Sequence, residues 1–324
     1  MEKTKQWLVL LLCLSALLAG CSSEQDKWQK QLDAQVLSTE VAIDRLKQRI
    51  DANHISNTAL LKQYASIVKR DRPEVGQLAD ALADNAKTDG PIISGLEARL
   101  SDAKSDVPRA ISSGIEPVQN VYSELSAIET AANPDTYGMI LTDPINVLAD
   151  MSNGKLSRVA AMSRDASARI NDADDFGAGS QLVGNPQYGN WQSNSSGGSF
   201  WQWYGQYAFF STMFRSPIGY SSWGRHRDYS YYNDYGRSSY TSPSQRRSQN
   251  SVERRTKDRF AKSGKSFNSP YSKTKQTTSQ VARTQSRIKS QSKSSSFSRP
   301  SSKSTTSSYR SSSYQSSRSS YGGK

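Results

Sequence analysis

The sequence predicts a mainly α-helical protein: a small or elongated helical bundle followed by a long disordered tail rich in Ser, Lys and Arg. Three observations predict it. Between Ser23 and Asp175 apolar residues recur at steps of three, four and seven, the spacing that gathers them on one helix stripe. No stretch of any length alternates with the period of two that a half-buried strand requires. Beyond residue 240 charge is high and apolar residues are few, so that stretch cannot bury enough surface to offset its ordering entropy.

The elements follow in order. Residues 22–26, Ser-Ser-Glu-Gln-Asp, offer a capping start, and Trp28, Leu32, Val36, Ile43, Leu46 and Ile50 form the first stripe. A single helix over 23–52 is about 45 Å long at 1.5 Å per residue. Asn53 and Asn57 mark a break, after which Leu60, Leu61, Tyr64, Ile67 and Val68 resume the stripe. Pro73 and Pro91 each suit the first turn of a new helix, where a missing N–H costs nothing. Val75, Leu78 and Leu82 face inward after the first proline, and Ile92, Leu96 and Leu100 after the second. Pro108, Pro117, Pro134 and Pro144 punctuate the remainder, with further helices expected over 117–132 and 144–167. The stripes are thin and lean on alanine, which favours an antiparallel bundle or a coiled-coil-like hairpin over a thick core.

Residues 177–199 are rich in Gly, Asn, Ser and Gln and read as a flexible linker. Residues 200–240 hold 15 of the chain's 30 aromatics. Read as a helix, this block puts Trp203, Tyr207, Phe210 and Phe214 on one face and leaves Trp201, Tyr204 and Phe209 elsewhere around it. Such an all-round apolar surface has to be buried, against the bundle, in a membrane interface, where Trp and Tyr favour the headgroup level, or on a partner. Residues 241–324 carry 19 Lys and Arg against Glu253 and Asp258, and are expected to be disordered.

Charge divides the chain in two. The balance is −6 over residues 1–180 and +19 over 181–324, which sums to the net +13. A chain this asymmetric is expected to hold two parts with different tasks.

The first residues supply an address. Lys3 and Lys5 precede an apolar run over residues 7–18, too short to span a bilayer, and small residues follow. Leu18-Ala19-Gly20-Cys21 resembles the lipobox of bacterial lipoproteins. That resemblance implies cleavage after residue 20, acylation (palmitate among the chains) at Cys21, and a periplasmic chain anchored to a membrane. Ser22 stands where lipoproteins retained at the inner membrane often carry Asp, which implies the outer membrane. One acyl chain anchors marginally and several anchor stably. Cys13 leaves with the signal, so the mature chain is expected to have no free thiol, disulfide or cysteine nucleophile.

The domains expected are therefore a signal peptide over 1–20, a periplasmic helical domain over 21–176, the linker over 177–199, the aromatic segment over 200–240 and the basic tail over 241–324. The same layout is loosely similar to a group of proteobacterial envelope lipoproteins of unassigned activity. The chain also resembles Braun-type lipoproteins in Cys21-Ser22-Ser23, in its helical start and in ending on lysine. That likeness implies covalent attachment of Lys324 to peptidoglycan.

Motifs for catalysis or metal binding do not assemble. The SGKS at 263–266 ends like a phosphate-binding loop, but Arg259 stands where the first glycine is needed. The acidic run at 171–177 lacks the glutamate of a calcium loop, since the twelfth position from Asp172 is Val183. His54 and His226 are isolated. The sequence points to no enzyme and no cofactor. Partner contacts are expected from Trp201, Trp203, Tyr204, Tyr207, Phe210 and Phe214, and from Arg254, Arg255 and Arg259 at the head of the tail. The partners implied are the membrane, through the lipid, and anionic envelope material: peptidoglycan, lipopolysaccharide or phospholipid. Export argues against nucleic acid, although Arg and Tyr interleaved with Ser can pair with phosphates and stack on bases. The expected function is a non-catalytic tether; the alternative is an accessory subunit docking on an envelope complex through its helical domain.

Overall fold

The computed structural model describes residues 24–159 and 177–271, apart from Ser196 and Arg215. The expected signal, Cys21, residues 160–176 and everything from 272 to Lys324 lie outside the described residues.

The fold is mainly helical, as the stripes predict. The body comprises α1 (Glu24–Asp51), α2 (Ser56–Asp71), α3 (Gly76–Ala83), α4 (Pro91–Ser113), α5 (Ile115–Ala131), α6 (Pro134–Ile140) and α7 (Thr142–Met151). Leu32, Ile43, Leu46 and Ile50 of α1 are buried on the face that packs against α4 and α5. Thr39 adds a hydroxyl bond from that face to the Leu125 carbonyl (3.3 Å). Lys47–Glu97 and Lys104–Glu40 pairs edge the contact; exposed pairs of this kind contribute little. Helices α2, α3 and α7 close the other end, with Leu61, Val68, Leu78 and Leu82 inside.

Two expectations about the body are corrected. Pro108 does not end a helix but sits inside α4. It lies on the exposed side, where water can reach the carbonyl that its missing N–H leaves free. The helix expected over 144–167 stops at Met151, because Asn153 and Gly154 both take positive φ (53° and 81°).

The larger correction concerns residues 177–271. The expected linker is an ordered part of the core. Leu182, Val183, Tyr188 and Trp191 are buried, and positive-φ Gly179 and Gly184 turn the chain where a side chain has no room. A Cβ on Gly184 would stand 2.7 Å from the Trp223 ring. Strands β1 (Gly189–Ser193) and β2 (Ser199–Trp203) form an antiparallel hairpin in which Trp191 faces Trp201. Period-two burial over five residues was too short to register in the sequence, yet aromatic side chains suit a pleated, half-buried surface. The helix expected through Trp203 and Tyr207 is therefore absent; the short α8 (Phe210–Met213) and α9 (Tyr220–His226) come next.

Aromatic rings fill this lobe edge to face: Trp191 on Trp201 (5.1 Å) and on Tyr220 (4.9 Å), and Tyr188 on Tyr207 (4.9 Å). Polar contacts bind the lobe to the body. Asn85 takes Tyr137 Oη on its carbonyl and Gln187 Nε2 on its side chain, both at 2.6 Å. Asp143, at the start of α7, caps a helix on the far lobe. Its carboxyl accepts from Tyr231 N (2.7 Å), Tyr232 N (2.9 Å) and Ser230 Oγ (2.9 Å). That helix runs through a π-helical turn, Tyr232–Gly236, into α10 (Arg237–Tyr240). Burial pushes the Asp143 carboxyl up to about 7, against the pull of its three hydrogen bonds. Arg227 and Asp234 form a buried fork at 2.6 and 3.1 Å, and Arg227 Nε donates to the Pro270 carbonyl (2.8 Å). Arg158 joins Asp150 (2.7 Å) and Asp228 (3.3 Å) nearby.

Candidate functional site

The last described helix, α11 (Pro243–Lys262), carries the cations. Residues 243–271 hold eight Lys and Arg against two acids, and residues 272–324 hold eleven against none. The expectation of disorder from 241 onward is corrected for 243–271. Ser242 caps the helix from its side chain, and Gln245 reaches back to the Ser242 N–H (2.9 Å), a complete capping box, with Pro243 in the first turn. One narrow face then docks: Gln249, Val252 and Thr256 are buried at helical spacing, and Phe260 packs beside them.

Specific contacts hold that face. Gln249 Nε2 donates to the Gly184 carbonyl (3.1 Å) and to Tyr232 Oη (2.9 Å). Arg237 donates to Gln249 Oε1 (2.7 Å) and lies 3.9 Å over the Tyr271 ring. Phe267 meets Phe260 (5.2 Å), and Tyr271 meets Trp223 (5.9 Å). The chain therefore leaves residue 271 from a fixed point on the aromatic lobe.

With that face inward, the cations fall outward or onto the hairpin. Arg247, Arg254, Lys262 and Lys265 are exposed; Lys257 is exposed and pairs with Glu253 (2.7 Å). Arg255 donates to Ser193 Oγ (3.1 Å), and Arg259 to the Gly197 carbonyl (3.1 Å). Of the three arginines expected to meet a partner, Arg254 faces solvent, while Arg255 and half-buried Arg259 are tied to the hairpin. Because carbonyl and hydroxyl partners leave their charge uncompensated, both still add to the positive field.

The aromatic candidates sort differently. Tyr207 and Phe210 are fully buried, Trp201 and Trp203 nearly so, and half-buried Phe214 stacks on Trp203 at 5.8 Å. Trp201, Trp203, Tyr207 and Phe210 are packed in the core and Phe214 lies against it, which leaves these rings little surface for the partner contacts expected of them. Tyr204 alone among the six remains open, at 42% exposure. His54 is exposed just after α1, and His226 ends α9. Among the described residues no group of three or more His, Cys, Asp or Glu side chains is placed to hold a metal, and no helix is long and apolar enough to cross a membrane. Cys21 and Lys324 lie outside the described residues.

The sequence reading missed the capping box of 242–245 and the Val252, Thr256 and Phe260 repeat, both visible in the letters. It also missed Asp143, whose partners stand 87 to 89 residues away, and Arg99, whose partners stand 25 and 140 residues away; neither leaves a local signal. Compared with known protein families, curated proteins and solved structures, the chain matches none of them.

Proposed function

We propose that this chain is a non-catalytic envelope protein, held to the outer membrane by lipid at Cys21, that ties the membrane to an anionic envelope polymer such as peptidoglycan. The observation that carries the reading is the attachment of α11. Its buried face is spent on the core, Arg247, Arg254, Lys257 and Lys262 are exposed, and residues 272–324 add eleven further cations without one acid. The −6 balance over residues 1–180 keeps the opposite end of the chain from competing for the same polymer. By the Braun-type resemblance, Lys324 is the residue proposed for covalent attachment to a wall carboxylate.

The structure sets how this is tested. Deleting all of 241–324 removes Val252 and Phe267 from the core, so the truncation has to begin at 272. Full-length protein is expected to sediment with purified peptidoglycan at low salt and to be released at about 0.5 M salt. Truncation after Tyr271 should weaken sedimentation, and adding Arg254→Gln, Lys257→Gln and Lys262→Gln should abolish it. Sedimentation that survives both changes overturns the reading. Failure of labelled palmitate to enter the wild type, or entry unchanged in Cys21→Ser, overturns the anchor.

A further inference from the structure

A second charged surface lies where the helical body meets the first turns of α11. A cleft of about 670 Å³ opens between the outer faces of α4 and α5 and the first turns of α11. Its walls carry opposite signs. On one side Asp102 and Asp106 stand one turn apart on α4; on the other are Arg246 and Arg247, with the N-terminal turn of α11 at Ser242–Ser244. Among the described residues no ion pair crosses the space. Asp106 pairs instead with Arg109 on its own helix, and Arg246 Nη2 donates to the Ser238 and Thr241 carbonyls (3.1 and 3.2 Å).

Arg99 also lines the cleft. It is 8% exposed; its Nε donates to Glu124 (2.6 Å) and its Nη1 to the Ser239 carbonyl (2.5 Å). Glu124 thus takes one N–H of a fork that could give two, and Arg99 Nη2 has no acceptor among the described residues. Arg246 Nε is buried without one as well. Two guanidinium donors lacking acceptors, beside a helix N-terminus whose partial positive charge favours anions, make one pole of a site. Asp102, without an ion-pair partner among the described residues, makes the other.

We propose that this cleft binds a short zwitterionic peptide, its terminal carboxylate toward Arg99, Arg246 and the start of α11, and an ammonium group toward Asp102. The volume suits a ligand of two to four residues, within the usual range of about 300–1,000 Å³. A polyanion fits poorly, because Asp102 and Asp106 repel it from one wall. The inference does not rest on the tether reading: no residue from 272 onward takes part, and neither does the lipid.

Calorimetric titration of the full-length chain with three probes tests it: N-acetyl-lysyl-alanine, its C-terminal amide, and N-acetyl-alanyl-alanine. The first is expected to bind saturably, and the amide and the lysine-free peptide each at least about tenfold more weakly. Arg246→Gln and Asp102→Asn should each weaken the first probe about tenfold while the melting temperature holds. Arg99→Gln should abolish binding; because it also frees Glu124 in the body, the other two variants carry the test. Absence of saturable heat to about 10 mM, equal binding of either control peptide, or unchanged affinity in both variants overturns the proposal.

Discussion

Asp143 offers the sharpest test of how the aromatic lobe is fastened to the helical body. The carboxyl is 1% exposed and accepts three hydrogen bonds, two of them from the first N–H groups of the helix that begins at Tyr231. Burial nevertheless raises it from 3.8 to about 7. The folded protein therefore holds the proton more tightly than the unfolded chain does. Its stabilising contribution is complete below about pH 3.8 and is lost as pH rises through about 7. A rise of that size corresponds to about 4 kcal/mol between about pH 4 and pH 8.

Asp143→Asn keeps the shape and cannot titrate. Its amide N–H₂ faces at least one backbone donor, so at low pH it should cost about 1–3 kcal/mol. Urea unfolding of wild type and variant across this range isolates the group, because titrations common to both proteins cancel in the difference. These include Asp71, held at about 2 by Arg70 and Lys155. The wild-type advantage at about pH 4 should shrink by about 4 kcal/mol by about pH 8 and change sign. A difference that stays flat, or grows with pH, would show that the three hydrogen bonds and the helix N-terminus keep the carboxylate ionised, and the burial argument would be refuted.

The remaining predictions concern packing. Gly184→Ala meets both a positive φ of 88° and the Trp223 ring, and should cost about 2–4 kcal/mol in a thermal melt; a loss under about 0.5 kcal/mol would mean that the turn yields. Trp201→Ala should cost about 3–5 kcal/mol and flatten the near-ultraviolet circular dichroism, whereas Tyr204→Ser should stay within about 0.5 kcal/mol. Equal losses would erase the division between core and surface aromatics. Asp234→Asn leaves Arg227 buried beside a neutral side chain and should destabilise by about 3–5 kcal/mol in urea, with Arg227→Met/Asp234→Leu recovering at least half; no recovery would mean that the Arg227 bond to Pro270 matters more than the ion pair.

How much of this was legible in the letters follows from where each partner lies. Leu32, Ile43, Leu46 and Ile50 meet their neighbours along a helix whose own period announces the buried face, so the body could be read directly. The capping box at 242–245 was equally local, but eight cations in the stretch that follows outweighed it in a reading based on composition. Trp201 and Trp203 were visible as apolar mass, yet their period of two lasts only five residues and their packing partners come from Trp191, Phe210 and Phe214.

By itself the sequence determined the helical body and the separation of acidic from basic halves, since each is written in neighbouring residues. Tertiary structure alone decided that residues 177–271 are core, that α11 is docked, and that Asp143 and Arg99 are buried. The reason is distance along the chain. Ring packing, the cap from Asp143 to Tyr231 and Tyr232, and the hold of Gly184 and Tyr232 on Gln249 form only when segments far apart meet, and no local pattern records such a meeting.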